Sequence, residues 1–214
     1  MGGADLLTSK FAIIGRPSRP DADVDYSFFQ VGIEEARVFR DMNCGNITAA
    51  VGPFAIDEGI VPATDGVQTV RIHTTNFGQI VHADVPVENG PAKVLGTQHI
   101  DGVPGTGAPV HLDWRDTAGG RTGRLLPTGN LRDTLHVDGL GDFDISVVDL
   151  ANVVAYLCAD AVGLTGGEDP LEMSRNAALM GRCERIRLTL AVKIGLARDI
   201  EAAYRHVPIT PWIA

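Results

Sequence analysis

The hydrophobic pattern of the chain begins with "KFAIIG", a short apolar run closed by Gly15, and resumes in "YSFFQVGI" after the polar, proline-bearing "RPSRPDADVD". Runs of this length bounded by glycine and proline predict two β-strands joined by a loop. The period then changes. In residues 43–59 the apolar positions Ile47, Ala50, Val51, Phe54, Ala55 and Ile56 surround most of a helical circumference. Asn43 is the expected N-cap and Gly59 the stop. A helix apolar nearly all round is expected to be buried. Pro53 inside it is expected to kink it, because proline removes a backbone donor and crowds the preceding turn.

Residues 66–86, "GVQTVRIHTTNFGQIVHADVP", carry β-branched positions on both sides of "TNFG", which predicts a hairpin with Gly78 at positive φ. "VHLDW", after the loop "DGVPGTGAP", is a further strand. The glycine-rich connection "TAGGRTGRLLPTG" follows, and a boundary between two lobes is expected near Asp138, giving a first lobe at 1–137 and a second at 138–214. Strand patterns recur in "FDISVVDL" and "VVAYLCAD". Asp169 and Pro170 then form an N-cap and first-turn pair for a long helix through "LEMSRNAALMGRCERIRLTLAVKIGL". The fold class read from these elements is α+β, with no internal repeat.

A chain of 214 residues with 44% hydrophobic positions can bury one large core or two small ones. The formal net charge of −9, with lysine and arginine scattered rather than striped among aromatics, excludes nucleic acid as an expected partner. Three cysteines, Cys44, Cys158 and Cys183, are too few and too irregular for a disulfide framework, and they point to a reducing, cytoplasmic setting. The start "MGGADLLTSK" has no signal-peptide layout, and no apolar run approaches the roughly 20 residues that span a bilayer, so no membrane partner is expected. The six histidines show no metal-ligand spacing, and no metal is expected. No G-x-S-x-G elbow and no G-x-G-x-x-G after a strand occurs, which sets aside the common hydrolase and dinucleotide classes.

The candidate chemistry gathers at two places. Cys44 stands where a polar loop gives way to the predicted helix. Unpaired backbone N–H groups at a helix start favour a thiolate and can hold a carboxylate beside it. Gly45 would let a ligand approach the backbone, and the Asn43 and Asn46 amides can donate to an anion. The alternative is an inert buried thiol. Lys10 lies between Thr8–Ser9 and an apolar strand, so it is either a desolvated base at a strand mouth or a solvated strand-end lysine. "GTGAP" around Thr106 offers backbone donors or is simply a turn. "GGRTG" lacks the Lys-Ser/Thr ending of a phosphate loop.

Taken in order, "TSKFAII", "SRPDADVDYSFFQV", "NCGNITAAVGPFAIDEG", "VRIHTTNFG", "IDGVPGTGAPVHLDW" and "GRTGRLLPTG" resemble the PrpF family of 2-methylaconitate isomerases, whose close relatives are methylitaconate and 4-oxalomesaconate Δ-isomerases. The resemblance runs through nearly the whole chain. It implies the diaminopimelate epimerase-like fold, two lobes that each wrap a curved, mostly antiparallel sheet around a central helix. It also implies that Lys10 and Cys44 are the acid/base pair and that Gly45 and Asn46 help hold a substrate carboxylate. Ser9, Asn43, His73, Asn76 and Thr106 are its further pocket residues. Family members carry an additional strand and glycine-rich loop upstream of this region and continue beyond "PITPWIA", so the second lobe is expected to be incomplete.

The expected activity is a cofactor-independent shift of a C=C bond in an unsaturated di- or tricarboxylate, with a homodimer covering uncovered edges. Two rivals stand beside it. A racemase or epimerase of the same fold needs a second helix-start thiol, which Cys158 and Cys183 do not offer. A truncated chain would only bind carboxylates, without turnover.

Overall fold

Ten strands and four α-helices form in the computed structural model, which describes Asp5, residues 7–33 and residues 36–214. They divide into two compact units, with the division at Thr117/Ala118. This is earlier than the Asp138 expected from sequence. The glycine-rich connection belongs to the second unit because its Arg121 and Thr122 amides donate to the buried Asp149 carboxylate (2.9 and 2.7 Å).

In the first unit, β1 (Lys10–Gly15), β2 (Val24–Val31), β4 (Gly66–Thr74), β5 (Gln79–Val87) and β6 (His111–Asp113) form one sheet in the order β1-β2-β4-β5-β6, with β3 (Val38–Phe39) also paired to β2. All pairings are antiparallel except β2 with β4. The β4/β5 hairpin turns through Gly78 at φ 70°, as expected. One helix, α1 (Gly45–Asp57), packs against β1, β4, β5 and β6. Two edge strands of a flat five-strand sheet would lie about 19 Å apart, too far for one helix of about 10 Å diameter to touch both. The sheet therefore curls around α1.

Strand alternation assigns the two faces. β2 buries Val24, Tyr26, Phe28 and Gln30, β4 buries Val70, Ile72 and Thr74, and β5 buries Val81, Ala83 and Val85. This inner face carries α1, since a Cβ added at Gly52 would lie 2.7 Å from Val85 Cγ2 and 3.3 Å from Ala83 Cβ. A mid-helix glycine is what lets α1 approach so closely. The helix is buried on one side only, through Thr48, Val51, Gly52, Ala55 and Ile56, while Phe54 is 45% exposed. The all-round burial expected from its apolar circumference does not hold, because the sheet reaches only part of that circumference.

The second unit has β7 (Asp133–Val137), β8 (Gly141–Leu150), β9 (Asn152–Tyr156) and β10 (Trp212–Ile213) in the order β10-β9-β8-β7. Its helices are α2 (Pro170–Arg175), α3 (Ala177–Lys193) and α4 (Ile200–His206), and α3 packs against both edge strands, β7 and β10. The single long helix expected after Asp169 is interrupted. Asn176, at φ −80° and ψ 91°, closes α2 and caps α3 by accepting from the Leu179 amide at 3.1 Å. A residue in extended backbone cannot continue a helix.

Candidate functional site

β1 starts at Lys10, and its register pairs Lys10 with Gln30, Ala12 with Phe28 and Ile14 with Tyr26. Ala12 and Ile14 pack against the core of the first unit, so alternation places Lys10 on the same inner face. Ser9, just before the strand, is buried, and its carbonyl accepts from the Val31 amide (2.9 Å) and from Gln30 Nε2 (3.0 Å). Gln30 thereby fixes the chain at the entry to β1, directly across from Lys10.

Cys44, not Asn43, is the N-cap of α1, with extended backbone at φ −130° and ψ 105°. Asn43 lies one residue outside the helix and is buried. The Cys44 carbonyl accepts from the Thr48 amide (2.9 Å) and the Thr48 hydroxyl (2.8 Å), while its thiol makes no capping hydrogen bond. No acidic residue occupies the first turn, so the partial positive charge of the helix start is not neutralised within that turn. Gly45 and Asn46 are exposed, and a Cβ at Gly45 would meet nothing within 4 Å. The sulfur is half-buried and packs against the same core as Ala12 and Ile14.

Tyr26 escaped the sequence reading. Its side chain is fully buried on the inner face, and burial pushes its hydroxyl up to about 12, opposed by the neighbouring Thr48 hydroxyl and aided by the Cys44 charge. Among the described residues the Tyr26 hydroxyl meets hydrogen-bond geometry with no other group. The signal was present in "YSFFQV", where period-two alternation puts Tyr26 and Gln30 on the face of Phe28.

Three expected pocket residues stand elsewhere. β4 buries Ile72 and Thr74, so His73 between them projects from the outer face of the sheet. There its Nδ1 lies 2.8 Å from Asp25 Oδ1 and 3.4 Å from the Ser18 hydroxyl. Asn76 fills the gap between β4 and β3 along the edge of β2. Its Oδ1 accepts from the Phe28 amide (2.8 Å), and Nδ2 donates to the Phe28 and Arg40 carbonyls (2.9 Å each). Both amide hydrogens are spent on the backbone, leaving none for a carboxylate. Thr106 lines a cavity of about 420 Å³ formed by the loop around Gln98, Val103 and Gly105, and neither Lys10 nor Cys44 lines it.

The other thiols differ from Cys44. Cys158 is exposed and precedes a 3₁₀ turn, Ala159–Val162, instead of lying inside the strand expected for "VVAYLCAD". Cys183 lies within α3, and burial pushes its thiol up. No helix among the described residues is long and apolar enough to cross a membrane.

A family profile described as "PrpF protein" matches residues 1–214. The chain is 50% identical to the 3-methylitaconate isomerase of Eubacterium barkeri, over 100% of this chain and 56% of that protein. It is 45% identical to the 4-oxalomesaconate tautomerase of Pseudomonas putida, over 97% of this chain and 55% of the relative. A solved methylitaconate-Δ-isomerase structure superposes with a TM-score of 0.79 at 50% identity, covering 100% of this chain and 55% of that one. A probable proline racemase from Agrobacterium radiobacter, at 14% identity and TM-score 0.51 over 86% of this chain and 43% of that one, shares the fold. These likenesses agree with the diaminopimelate epimerase-like architecture implied by the motifs. The chain spans about half the length of the relatives it matches.

Proposed function

Because the chain belongs to the PrpF family, we propose that its protein is a cofactor-independent isomerase that moves a C=C bond by one position in an unsaturated di- or tricarboxylate such as 2-methylaconitate. The observation that carries this reading is the joint placement of Lys10 and Cys44, on the inner face of the sheet and at the start of the helix that this face holds. Three free thiols fit a reducing, cytoplasmic setting.

In the proposed chemistry, neutral Lys10 removes an allylic proton. The electron pair spreads through the C=C bond into a neighbouring carboxyl or keto group, and a proton returns at the far carbon. The charge that develops is what the protein must stabilise. Backbone amides of Gly45, Asn46 and Ile47 at the start of α1, with no acidic side chain in that turn, suit this task in the manner of an oxyanion hole. Cys44 stands where it would orient the substrate or return the proton. Ser9 and Asn43 support the site from buried positions, while Gly45 and Asn46 offer an open approach.

The test is proton NMR in deuterated water with 2-methylaconitate, methylitaconate and 4-oxalomesaconate offered in parallel. Double-bond migration or deuterium uptake in one of them is expected. A folded protein that neither exchanges nor isomerises any of the three overturns the proposal.

A further inference from the structure

We propose that Gln30 is a positioning residue for Lys10, its side-chain amide holding the entry of β1 so that Lys10 keeps its place on the inner face of the sheet. The proposal rests on the isomerase reading only for what Lys10 does during turnover.

The register of β1 on β2 pairs Lys10 with Gln30, and one step earlier it sets Ser9 opposite Val31. In an antiparallel ladder, pairs that exchange both N–H···O bonds alternate with pairs that exchange none. The Val31 amide donates to the Ser9 carbonyl at 2.9 Å, which makes Ser9/Val31 a bonding pair and Lys10/Gln30 a non-bonding one. Lys10 therefore turns its own N–H and C=O away from β2, and its backbone is held on that strand through its neighbours Ser9 and Phe11. On the Ser9 side half of the pair is lost, because the Ser9 amide donates to the Asp5 carbonyl (3.0 Å) and not to Val31. The Gln30 side chain takes up that place. Its Nε2 donates to the Ser9 carbonyl at 3.0 Å and to the Val31 carbonyl at 3.4 Å, so one amide group spans both acceptors of the pair.

Two features tie this contact to Lys10 in particular. The Ser9 carbonyl and the Lys10 N–H belong to one planar peptide unit, so fixing the carbonyl fixes the plane from which the Lys10 Cα departs. Opposed residues of a non-bonding pair have Cα atoms only about 4.5 Å apart with both side chains on one face, which sets the Gln30 stem beside that of Lys10. The other inner positions of β2 hold Val24, Tyr26 and Phe28. An apolar side chain at position 30 would fill the space without the cost of burying an amide. A glutamine only 2% exposed stands instead at the position facing Lys10.

The experiment compares wild type with Gln30→Met, which keeps the length of the side chain and deletes both donated hydrogens. Val70→Ala, which opens a cavity in the same core away from this contact, is the stability control. Acylation of Lys10 by acetic anhydride at fixed pH is read by mass spectrometry of its own peptide, with Lys93 and Lys193 as references in the same molecule. In Gln30→Met the Lys10 rate relative to both references should rise about twofold or more, the effect of one lost hydrogen bond on a local opening. In Val70→Ala the ratio should not move. With the acid that wild type isomerises, kcat of Gln30→Met should fall about 10²-fold, the consequence of displacing a reacting group by about 1 Å. KM should stay, because the start of α1 and not Lys10 is the proposed holder of the carboxylate. An unchanged ratio overturns the proposal, as does a normal kcat in a variant whose ratio has risen, or an equal rise in Val70→Ala. If Gln30→Met melts early, Gln30→Asn keeps a buried amide on a stem one methylene shorter, and the same rise is expected; no rise overturns the proposal. If the ratio rises while neither wild type nor variant turns over any of the three acids, the Gln30 assignment stands and the isomerase reading fails.

Discussion

At the scale of single residues, the division of labour between Lys10 and Cys44 can be measured. Lys10→Met keeps much of the stem and deletes the proposed base, so turnover should fall by about 10²- to 10⁴-fold. Cys44→Ser keeps a hydrogen-bonding group at the N-cap. If the thiol returns the proton, that variant should still exchange the first proton with solvent deuterium while failing to isomerise. Near-normal turnover in Lys10→Met would show that the base is another group. Asn76 is expected to behave oppositely to a pocket residue. Asn76→Ala removes three hydrogen bonds to the backbone of Phe28 and Arg40, costing about 1–3 kcal/mol of stability. Its KM should not change, and a raised KM at unchanged melting temperature would return Asn76 to the site. Glu168 gives a pH signature. Hydrogen bonds from the Thr165 amide and hydroxyl and the Gly166 amide lower its carboxyl from 4.5 to about 2. A depressed folded value stabilises the turn above pH 4.5, and that contribution is lost as pH falls towards 2. Amide exchange at Thr165 and Gly166 should therefore accelerate over this window in the wild type and be pH-insensitive in Glu168→Gln, beyond the intrinsic exchange rate. Equal behaviour of the two proteins would exclude the carboxylate as the clasp.

At the scale of elements, the seat of α1 on the sheet depends on Gly52. Alanine normally improves a helix interior by about 1 kcal/mol over glycine. Here its Cβ would sit 2.7 Å from a methyl of Val85, a stiff β-branched side chain. Overpacking of this kind costs about 1–3 kcal/mol, so Gly52→Ala should lower the melting temperature, and a raised one would mean that the sheet yields. The elements that were legible in sequence share a strong local cause. The β4/β5 hairpin was readable because β-branched runs flank a glycine that needs positive φ. The helix start was placed one residue early because Asn43 is the better capping type, yet Cys44 has the extended backbone. β7 was missed because "DTLHV" is short and half exposed. The break at Asn176 was hidden because every flanking residue suits a helix, and only the backbone at one position decides it. At the site, the face of His73 was readable from Val70 and Ile72, since alternation alone sends position 73 outward. The fate of Asn76 was not readable, because it depends on β3 and β4 ending at opposite sides of the same gap.

At the scale of the molecule, each unit has its own buried cluster, one around Tyr26, Phe28 and Ile72 and another around Leu135, Ile186 and Leu190. Each curls a sheet around a helix that touches both edge strands, which is how a short sheet covers a helix without a second layer. Among the described residues β1 stands at an edge of its sheet, with an apolar outer side. Phe11 stacks on Phe29 with ring centroids 4.4 Å apart, Arg40 lies over Phe29, and Ile13 is 57% exposed. An edge strand presents unpaired N–H and C=O groups, and apolar side chains beside them favour pairing with another chain. The net charge of −9 opposes close approach at low salt, and salt screens that repulsion. We therefore expect concentration-dependent self-association that strengthens with added salt, measured by light scattering. Ile13→Lys places a charge on the exposed side of β1 without disturbing the core, since Ile13 alternates away from Ala12 and Ile14. It should shift the population towards monomer and leave the unfolding free energy within about 0.5 kcal/mol of wild type. If the wild type scatters as a monomer at every concentration and salt tested, β1 is not an association edge. If wild type and Ile13→Lys associate equally, a surface other than β1 brings the copies together.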